Sequence, residues 1–129
     1  MVLWFSCSLN ATSKPCATTA TSRGSTPRNV ETYVAPNNTS PFDQWMGDLK
    51  DSKGKAIIEA RINKLRRGIL GELDDVGDGI IELIIRFGPG YRVYCVDGGN
   101  NVLILWAGRK RTQQKDINRA KAYWKEFNS

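Results

Sequence analysis

The sequence predicts an α+β fold, with two helices packed on a small, mainly antiparallel sheet and a third helix at the C-terminus. Two segments with apolar residues at helical spacing come first, over about residues 41–49 and 53–67. Short apolar runs separated by glycine-rich turns follow, a pattern typical of antiparallel strands. With one short strand in front of the helices, the predicted element order is β-α-α-β-β-β-α.

Capping residues and apolar spacing predict the elements that precede the sheet. Residues 31–35 form the short first strand, which Pro36 ends. Ser40 is a suitable N-cap and Pro41 a suitable first helical residue, so the first helix begins here. The second helix has apolar residues at i, i+4 and i+7 and ends at a glycine. These residues are Ile58, Ile62, Leu65 and Gly68.

Apolar runs and turn residues predict the sheet. The three strands cover residues 80–87, 91–96 and 102–106. The turn at 88–90 is Gly-Pro-Gly, and the sequence Asp-Gly-Gly-Asn at 97–100 indicates a hairpin. Residues 73–76 are a further candidate for a short edge strand. The last helix is expected over residues 113–127.

The composition indicates one domain behind an N-terminal extension. Residues 1–29 are rich in Ser, Thr and Ala, contain no acidic residue and lack apolar periodicity, so we expect them to be disordered. Residues 30–129 form the domain. The extension carries three of the six net positive charges. The placement of charge within the domain therefore says more about a polyanionic partner than the total does.

Several kinds of site are excluded or disfavoured by the residue content. The chain has no histidine, which excludes histidine triads, histidine zinc sites and histidine general bases. It has three cysteines and no CxxC pair, which does not suggest a disulfide framework. No apolar stretch approaches the roughly 20 residues that span a bilayer. We expect a cytoplasmic protein that binds neither a membrane, a metal nor another cofactor.

An arginine within an apolar strand is the most specific local signal. Strand alternation places Arg92 and Tyr94 on one face of the sheet, and Tyr91 and Val93 on the other. A buried arginine requires an acidic partner or an anionic ligand, because an unpaired buried charge is unfavourable. A salt bridge to Glu82 across the hairpin and an anion-binding role are both open on this pattern.

Two basic clusters are candidates for phosphate contacts. The first lies on the second helix and includes Arg61 and Lys64; the second is the run 109–111, continued by Lys115. A single charged helix is more often a solvated face. The run 109–111 directly follows an apolar strand and is expected at the rim of the sheet, where it suits sequence-independent phosphate binding.

A family resemblance extends from Pro41 to Phe127, about two thirds of the chain. The motifs in order are Phe42-Asp43-x-Trp45, Ala60-Arg61-Ile62-x-x-Leu65, Val76-Gly77-Asp78-Gly79-x-x-Glu82-Leu83, Gly88-Pro89-Gly90-Tyr91-Arg92-Val93-Tyr94 and Gly108-x-Lys110-x-Thr112-Gln113-Gln114-Lys115-Asp116-Ile117-x-x-Ala120. This stretch resembles the RelE/ParE toxin superfamily, in particular the HigB-like addiction module killer proteins. The resemblance implies a compact RelE-like fold.

The resemblance also implies a toxin of a type II toxin–antitoxin system, which inhibits translation as a ribosome-dependent mRNA endoribonuclease without a metal. The implied partners are mRNA, the ribosome and a cognate helix-turn-helix antitoxin. Arg92 would stabilise the phosphorane oxygens and Lys110 the phosphate or the leaving oxygen. Tyr91, or a polar residue among Gln113 and Asp116, would take part in proton transfer.

One position departs from the family pattern. Relatives usually carry a basic residue two positions after the glutamate, where this chain has Ile84 and places Arg86 two residues later. Arg86 is expected on the same strand face and would partly replace that charge. The RNA-binding residues expected are Arg61, Lys64, Arg109, Arg111, Gln113 and Lys115. Two alternatives stay open: a ParE-like inhibitor of gyrase without nuclease activity, and a degenerate module that only binds antitoxin or RNA.

Overall fold

A five-stranded mixed sheet organises the computed structural model, which describes residues 27–129. The elements are β1 Asn29–Thr32, α1 Pro41–Asp48, α2 Ser52–Arg66, β2 Leu73–Gly77, β3 Ile80–Ile85, β4 Tyr91–Asp97, β5 Asn101–Arg109 and α3 Gln113–Asn128. A 3₁₀ turn, Lys110–Thr112, joins β5 to α3. The spatial strand order is β1-β5-β4-β3-β2, so two central hairpins carry the sheet and β1 and β2 lie at its edges.

The predicted α+β class is confirmed, but the predicted element order is wrong by one strand. The segment Leu73–Gly77, considered only as a candidate, pairs antiparallel with β3. The observed order is β-α-α-β-β-β-β-α. The sequence predicts this strand only weakly, because two adjacent aspartates, Asp74 and Asp75, interrupt its apolar residues; both are exposed in the structure. It is held by the backbone ladder with β3, and only Leu73 and Val76 of this strand pack against the cores.

The first strand lies slightly earlier than expected and pairs parallel with β5. It begins at Asn29, opposite Asn101, and is preceded by an ion pair of 2.9 Å between Arg28 and Asp97. Residues 1–26 of the predicted extension, which was expected over residues 1–29, lie outside the described residues. The strand begins two residues before its predicted start.

The first helix begins as its sequence predicts. The Ser40 side chain accepts a hydrogen bond from the Asp43 N–H at 3.4 Å, and Pro41 is the first helical residue. The second helix is capped by Asp51, whose carboxylate accepts a hydrogen bond from the Gly54 N–H at 3.0 Å. This cap was not predicted from the sequence. Both carboxyl and hydroxyl caps satisfy N–H groups that lack partners within the helix.

Two hydrophobic cores lie on the two faces of the sheet. The larger is formed with α1 and α2 and contains Tyr91, Val93 and Cys95. The smaller is formed with α3 and contains Tyr94 and Val96. The predicted alternation along β4 is thus confirmed, and it directs Arg92 toward the α3 face. On this face, Arg92 lies next to the turn at 88–90.

Candidate anion-binding site

A cleft of about 250 Å³ opens beside the Gly-Pro-Gly turn between β3 and β4. Its lining consists of Arg86, Phe87, Gly88, Pro89, Gly90, Arg92 and Lys110. Among the described residues, three cationic side chains and no carboxylate line it. A cleft walled by charges of one sign concentrates ions of the opposite sign. The arrangement is therefore suited to binding an anion.

Gly90 brings two of these cations together. Its φ of +81° is a conformation that favours glycine, and a β-carbon there would lie 3.3 Å from Cβ of Lys110. The same β-carbon would lie 4.0 Å from Nη1 of Arg92. The backbone N–H of Lys110 also donates to the Gly90 carbonyl at 2.7 Å. Arg92 on β4 and Lys110 after β5 thus meet around this glycine, as expected of a shared phosphate site.

Arg92 is buried, and one of its donors has no hydrogen-bond partner among the described residues. The residue is 8% exposed, and its Nε lies 3.7 Å from Oε2 of Glu82. The expected ion pair across the hairpin is therefore present. Within residues 27–129 the buried Nε nevertheless has no hydrogen-bond partner. Buried donors of this kind are rare in folded proteins and commonly mark a site for a ligand or ion.

Glu82 is bonded to uncharged donors instead. Its Oε2 accepts from the Tyr94 hydroxyl at 3.1 Å and from Nε2 of Gln113 at 2.7 Å. Burial, together with the charge of Glu82, raises the pKa of Tyr94 well above its usual value. Gln113 is the first residue of α3, so one carboxylate joins β3, β4 and α3 beside Arg92.

Asp116 holds the start of α3 against β5. It is 5% exposed, and its two carboxylate oxygens accept from Nε1 of Trp106 at 2.9 Å and from the Thr112 hydroxyl at 2.5 Å. Both oxygens therefore have a structural partner. In this arrangement Asp116 positions the turn that carries Lys110 and is not a free proton acceptor.

Arg86 and Lys110 differ in how their charges are compensated. Arg86 lies just beyond β3 at the cleft and makes hydrogen bonds of 2.9 Å and 2.6 Å to the two carboxylate oxygens of Glu72. Those bonds hold the pKa of Glu72 below its usual value. The Lys110 side chain is exposed and has no ion pair within the described part of the chain. Lys110 is thus the cation most available to a ligand.

Tyr91 and Arg109 lie on the opposite face of the sheet from Arg92. Tyr91 is buried and donates its hydroxyl hydrogen to Oδ2 of Asp51 at 2.7 Å. Burial and this bond raise the pKa of Tyr91, and Arg109 lies near enough to oppose the rise. The structure therefore does not bring Tyr91 together with Arg92 and Lys110. Its hydroxyl connects β4 to Asp51, the N-cap residue of α2.

The remaining residues predicted to bind RNA have varied positions. Arg61 donates to the carbonyls of Leu70 and Ile84, at 3.0 Å and 2.7 Å, and also to that of Glu72. Its guanidinium is therefore occupied by backbone. Three more are exposed, on α2, in the 3₁₀ turn and in the first turn of α3; they are Lys64, Arg111 and Lys115. Arg111 and Lys115 continue the positive charge from Lys110. Lys64 lies on α2, which covers the opposite face of the sheet.

Two acids that shape this region, Asp51 and Glu72, were not predicted from the sequence. Asp51 could have been found as a helix cap, because an aspartate before an apolar-periodic segment is a recognised start signal. Glu72 carries no such signal, since it lies in a loop and meets Arg86 only through the pairing of β2 with β3. Gln113 was predicted as an RNA contact, and its bond to Glu82 spans 31 residues of sequence.

Neither a metal site nor a membrane span is found between residues 27 and 129. No group of three or more side chains of the metal-ligating kind occurs there. No helix in the same range is long and apolar enough to cross a bilayer.

Comparison with known proteins places this α+β chain with its cation-lined cleft in a family. A protein of Haemophilus influenzae, described as an uncharacterized protein, is 46% identical over 90 residues. The match covers 69% of this chain and 91% of the Haemophilus protein. The chain belongs to the same family as that protein. No protein-family model and no solved structure matches the chain.

Proposed function

We propose that this protein is the toxin of a type II toxin–antitoxin system and has a RelE/HigB-like fold. In this proposal it inhibits translation in the cytoplasm as a ribosome-dependent mRNA endoribonuclease. One observation carries the proposal: Arg92 and Lys110 line a single cleft, and the buried Nε of Arg92 has no hydrogen-bond acceptor among the described residues. The resemblance of the ordered motifs to HigB-like toxins supports it independently.

The cleft is suited to cleavage by the RNA's own 2′-hydroxyl. The 2′-oxygen attacks the adjacent phosphorus, the bond from phosphorus to O5′ breaks, and a 2′,3′-cyclic phosphate and a 5′-hydroxyl result. Arg92 donates to the non-bridging oxygens, whose negative charge grows in the transition state. Lys110 neutralises the phosphate and gives a proton to O5′, and then recovers a proton from solvent.

Among the described residues, no carboxylate lines the cleft to accept the proton of the attacking 2′-hydroxyl. Glu72 and Glu82 are paired with Arg86 and Arg92, and Tyr91 faces the other side of the sheet. In the proposed reaction this proton therefore passes to water or to a group of the ribosome. That requirement is consistent with an enzyme that cuts mRNA on the ribosome and acts slowly on free RNA.

An antitoxin is the expected protein partner. In the proposed system it is a small helix-turn-helix protein that neutralises the toxin and is encoded by the neighbouring reading frame. Finding such a frame next to this gene supports the pairing. Its absence would favour a degenerate module.

Induced expression in bacteria, with mapping of RNA ends, tests the proposed function. The wild type is expected to stop growth within minutes and to cut translated mRNAs. Arg92→Ala and Lys110→Ala are expected to abolish both effects while circular dichroism shows a folded protein. Lys125→Ala, an exposed cation near the end of α3, is the control and should stay toxic. Toxicity in both site variants contradicts the proposal. DNA damage without mRNA cuts would favour an inhibitor of gyrase. Absence of toxicity in the wild type would favour a degenerate module.

A further inference from the structure

Glu82 has two kinds of neighbour, and it is bonded to the uncharged ones. Its Oε2 is 2.7 Å from Nε2 of Gln113 and 3.1 Å from the Tyr94 hydroxyl, but 3.7 Å from Nε of Arg92. A carboxylate oxygen has about two lone-pair sites. The two neutral donors fill them, and Arg92 is attracted to Glu82 without being hydrogen-bonded to it.

We propose that Gln113 and Tyr94 keep the Arg92 site open for one phosphodiester group, because they occupy Oε2, the Glu82 oxygen that lies nearest Nε of Arg92 and would otherwise bind it. Gln113 is then a positioning residue that acts through Glu82, rather than an RNA contact. This inference rests on the proposed function, which supplies RNA as the source of the phosphodiester.

The competing arrangement is strongly favourable on physical grounds. Arginine and a carboxylate form short, often bidentate hydrogen bonds, which are among the strongest in proteins. Glu82 and Arg92 are 1% and 8% exposed, so little water weakens such a pair. If Glu82 closed on Arg92, the arginine would lose both its free donors and its net attraction for an anion.

The geometry of the open state matches a phosphate. The guanidinium is planar and presents its N–H groups as a fork that fits two oxygens of one phosphate. Arg92 and Lys110 both line the cleft, and both approach Gly90. A single tetrahedral anion in the cleft would accept hydrogen bonds from the Arg92 guanidinium, whose Nη1 approaches Gly90, and would be attracted by the charge of Lys110.

Binding of a non-cleavable RNA tests this inference separately from catalysis. The probe is a fluorescein-labelled 2′-O-methyl RNA hexanucleotide, which has no free 2′-hydroxyl to attack, and fluorescence anisotropy gives its affinity at several salt concentrations. Gln113→Ala is expected to weaken binding about tenfold, as loss of one charge-assisted phosphate contact does. The slope of log affinity against log salt should fall by about 0.7, the value for one phosphate on a single strand.

A neighbouring glutamine provides the matched control. Gln114 lies on the same helix turn, is exposed, and among residues 27–129 bonds Asn118 within α3, so Gln114→Ala should bind the probe like the wild type. Tyr94→Phe removes the other donor to Glu82 and should weaken binding in the same direction as Gln113→Ala. Thermal unfolding of each variant shows whether it is folded. If Gln113→Ala does not fold, Tyr94→Phe decides the question.

Rescue distinguishes positioning from direct contact. Adding Glu82→Gln to Gln113→Ala replaces the competing carboxylate with a neutral amide, and this is expected to restore most of the lost affinity. Affinity that stays low would assign Gln113 a direct RNA contact and overturn the inference. Normal binding by Gln113→Ala, or no binding of the probe by the wild type, would also overturn it. Binding with the expected dependence, but without RNA cleavage in cells, would instead contradict only the proposed nuclease.

Discussion

The carboxylate of Asp116 occupies the place where a β-carbon would stand at Gly108. A β-carbon built there would lie 1.9 Å from Oδ2 and 2.6 Å from Cγ of Asp116. Gly108 lies opposite Arg92 in the ladder between β4 and β5. The missing side chain lets α3 approach β5 beside the candidate site. This contact explains why glycine is needed at a position with no unusual backbone angle.

Gly108→Ala is therefore expected to destabilise the protein by about 3 kcal/mol, since it forces Asp116 away and breaks its bonds to Trp106 and Thr112. Urea unfolding followed by circular dichroism measures the change. With Asp116→Ala already present, the same glycine substitution should cost far less, because the clashing carboxylate is gone. Equal costs in the two backgrounds would contradict this account.

Gly47→Ala is the matched control on a different element. Gly47 lies in α1, is exposed, and a β-carbon there would meet nothing within 4 Å. Alanine is preferred to glycine inside helices by roughly 0.5–1 kcal/mol. We expect Gly47→Ala to raise the free energy of unfolding by about that amount. A loss of stability would show that α1 has a constraint not visible in its contacts.

Arg61→Lys is expected to destabilise the fold while leaving RNA affinity unchanged. The Arg61 guanidinium bonds the carbonyls of Leu70, Glu72 and Ile84, and a lysine ammonium cannot reach all three in the same geometry. The expected loss is about 2 kcal/mol, typical of charged hydrogen bonds. Lys64→Ala, an exposed change one turn later on α2, should leave stability almost unchanged. Weaker RNA binding by folded Arg61→Lys would restore Arg61 as an RNA contact.

The pH dependence of stability should report the cap formed by Asp51. The Gly54 N–H and the Tyr91 hydroxyl hold the pKa of this carboxyl below its usual value. The charged form is thus favoured by folding, so its stabilisation is present above the unfolded pKa of about 4 and is lost as pH falls through the folded pKa. Asp51→Asn keeps a capping side chain but cannot titrate. Its stability should fall less than that of the wild type between pH 6 and pH 3.

Tyr91→Phe separates the two causes of that effect. It removes the hydroxyl that bonds Asp51 but leaves the Gly54 N–H in place. The decline in stability at low pH should therefore be intermediate between those of the wild type and Asp51→Asn. Urea midpoints at a series of pH values give the comparison. A decline as steep as that of the wild type would mean that the cap alone sets the pKa.

Local features of the fold were predictable because they depend on neighbouring residues. Ser40 and Pro41 fixed the start of α1, and alternation assigned Arg92 and Tyr91 to opposite faces of β4. The strand at 73–77 was harder to predict, since its sequence contains two exposed aspartates and it pairs with β3. The parallel pairing of β1 with β5 likewise depends on distant residues.

The cations of the site were predictable from the sequence, but the groups to which each cation is bonded were not. Arg92 and Lys110 were expected to act together, and both line the cleft. Arg61 was expected on an outward helix face, but the loop after α2 returns over it and occupies its donors. The Gln113–Glu82 bond depends on how α3 crosses the sheet. Sequence spacing therefore identified the charges, whereas tertiary packing determines which of them are free.

A site that keeps a buried arginine unbonded should make the fold less stable than it could be. Removal of one member of a buried ion pair is strongly destabilising, but replacement of both charges is often neutral or stabilising. Arg92→Met alone leaves Glu82 buried without its cation and is expected to cost about 3 kcal/mol. Addition of Glu82→Gln keeps acceptors for Tyr94 and Gln113 while removing the uncompensated charge.

The double variant Arg92→Met with Glu82→Gln should therefore be at least as stable as the wild type in urea unfolding. It should also lack RNA binding and toxicity, because the guanidinium has been removed. The opposite pattern, a double variant no more stable than Arg92→Met alone, would mean that the Arg92–Glu82 pair contributes to folding. In that case the free donors of Arg92 would be a by-product of packing rather than a feature of the site.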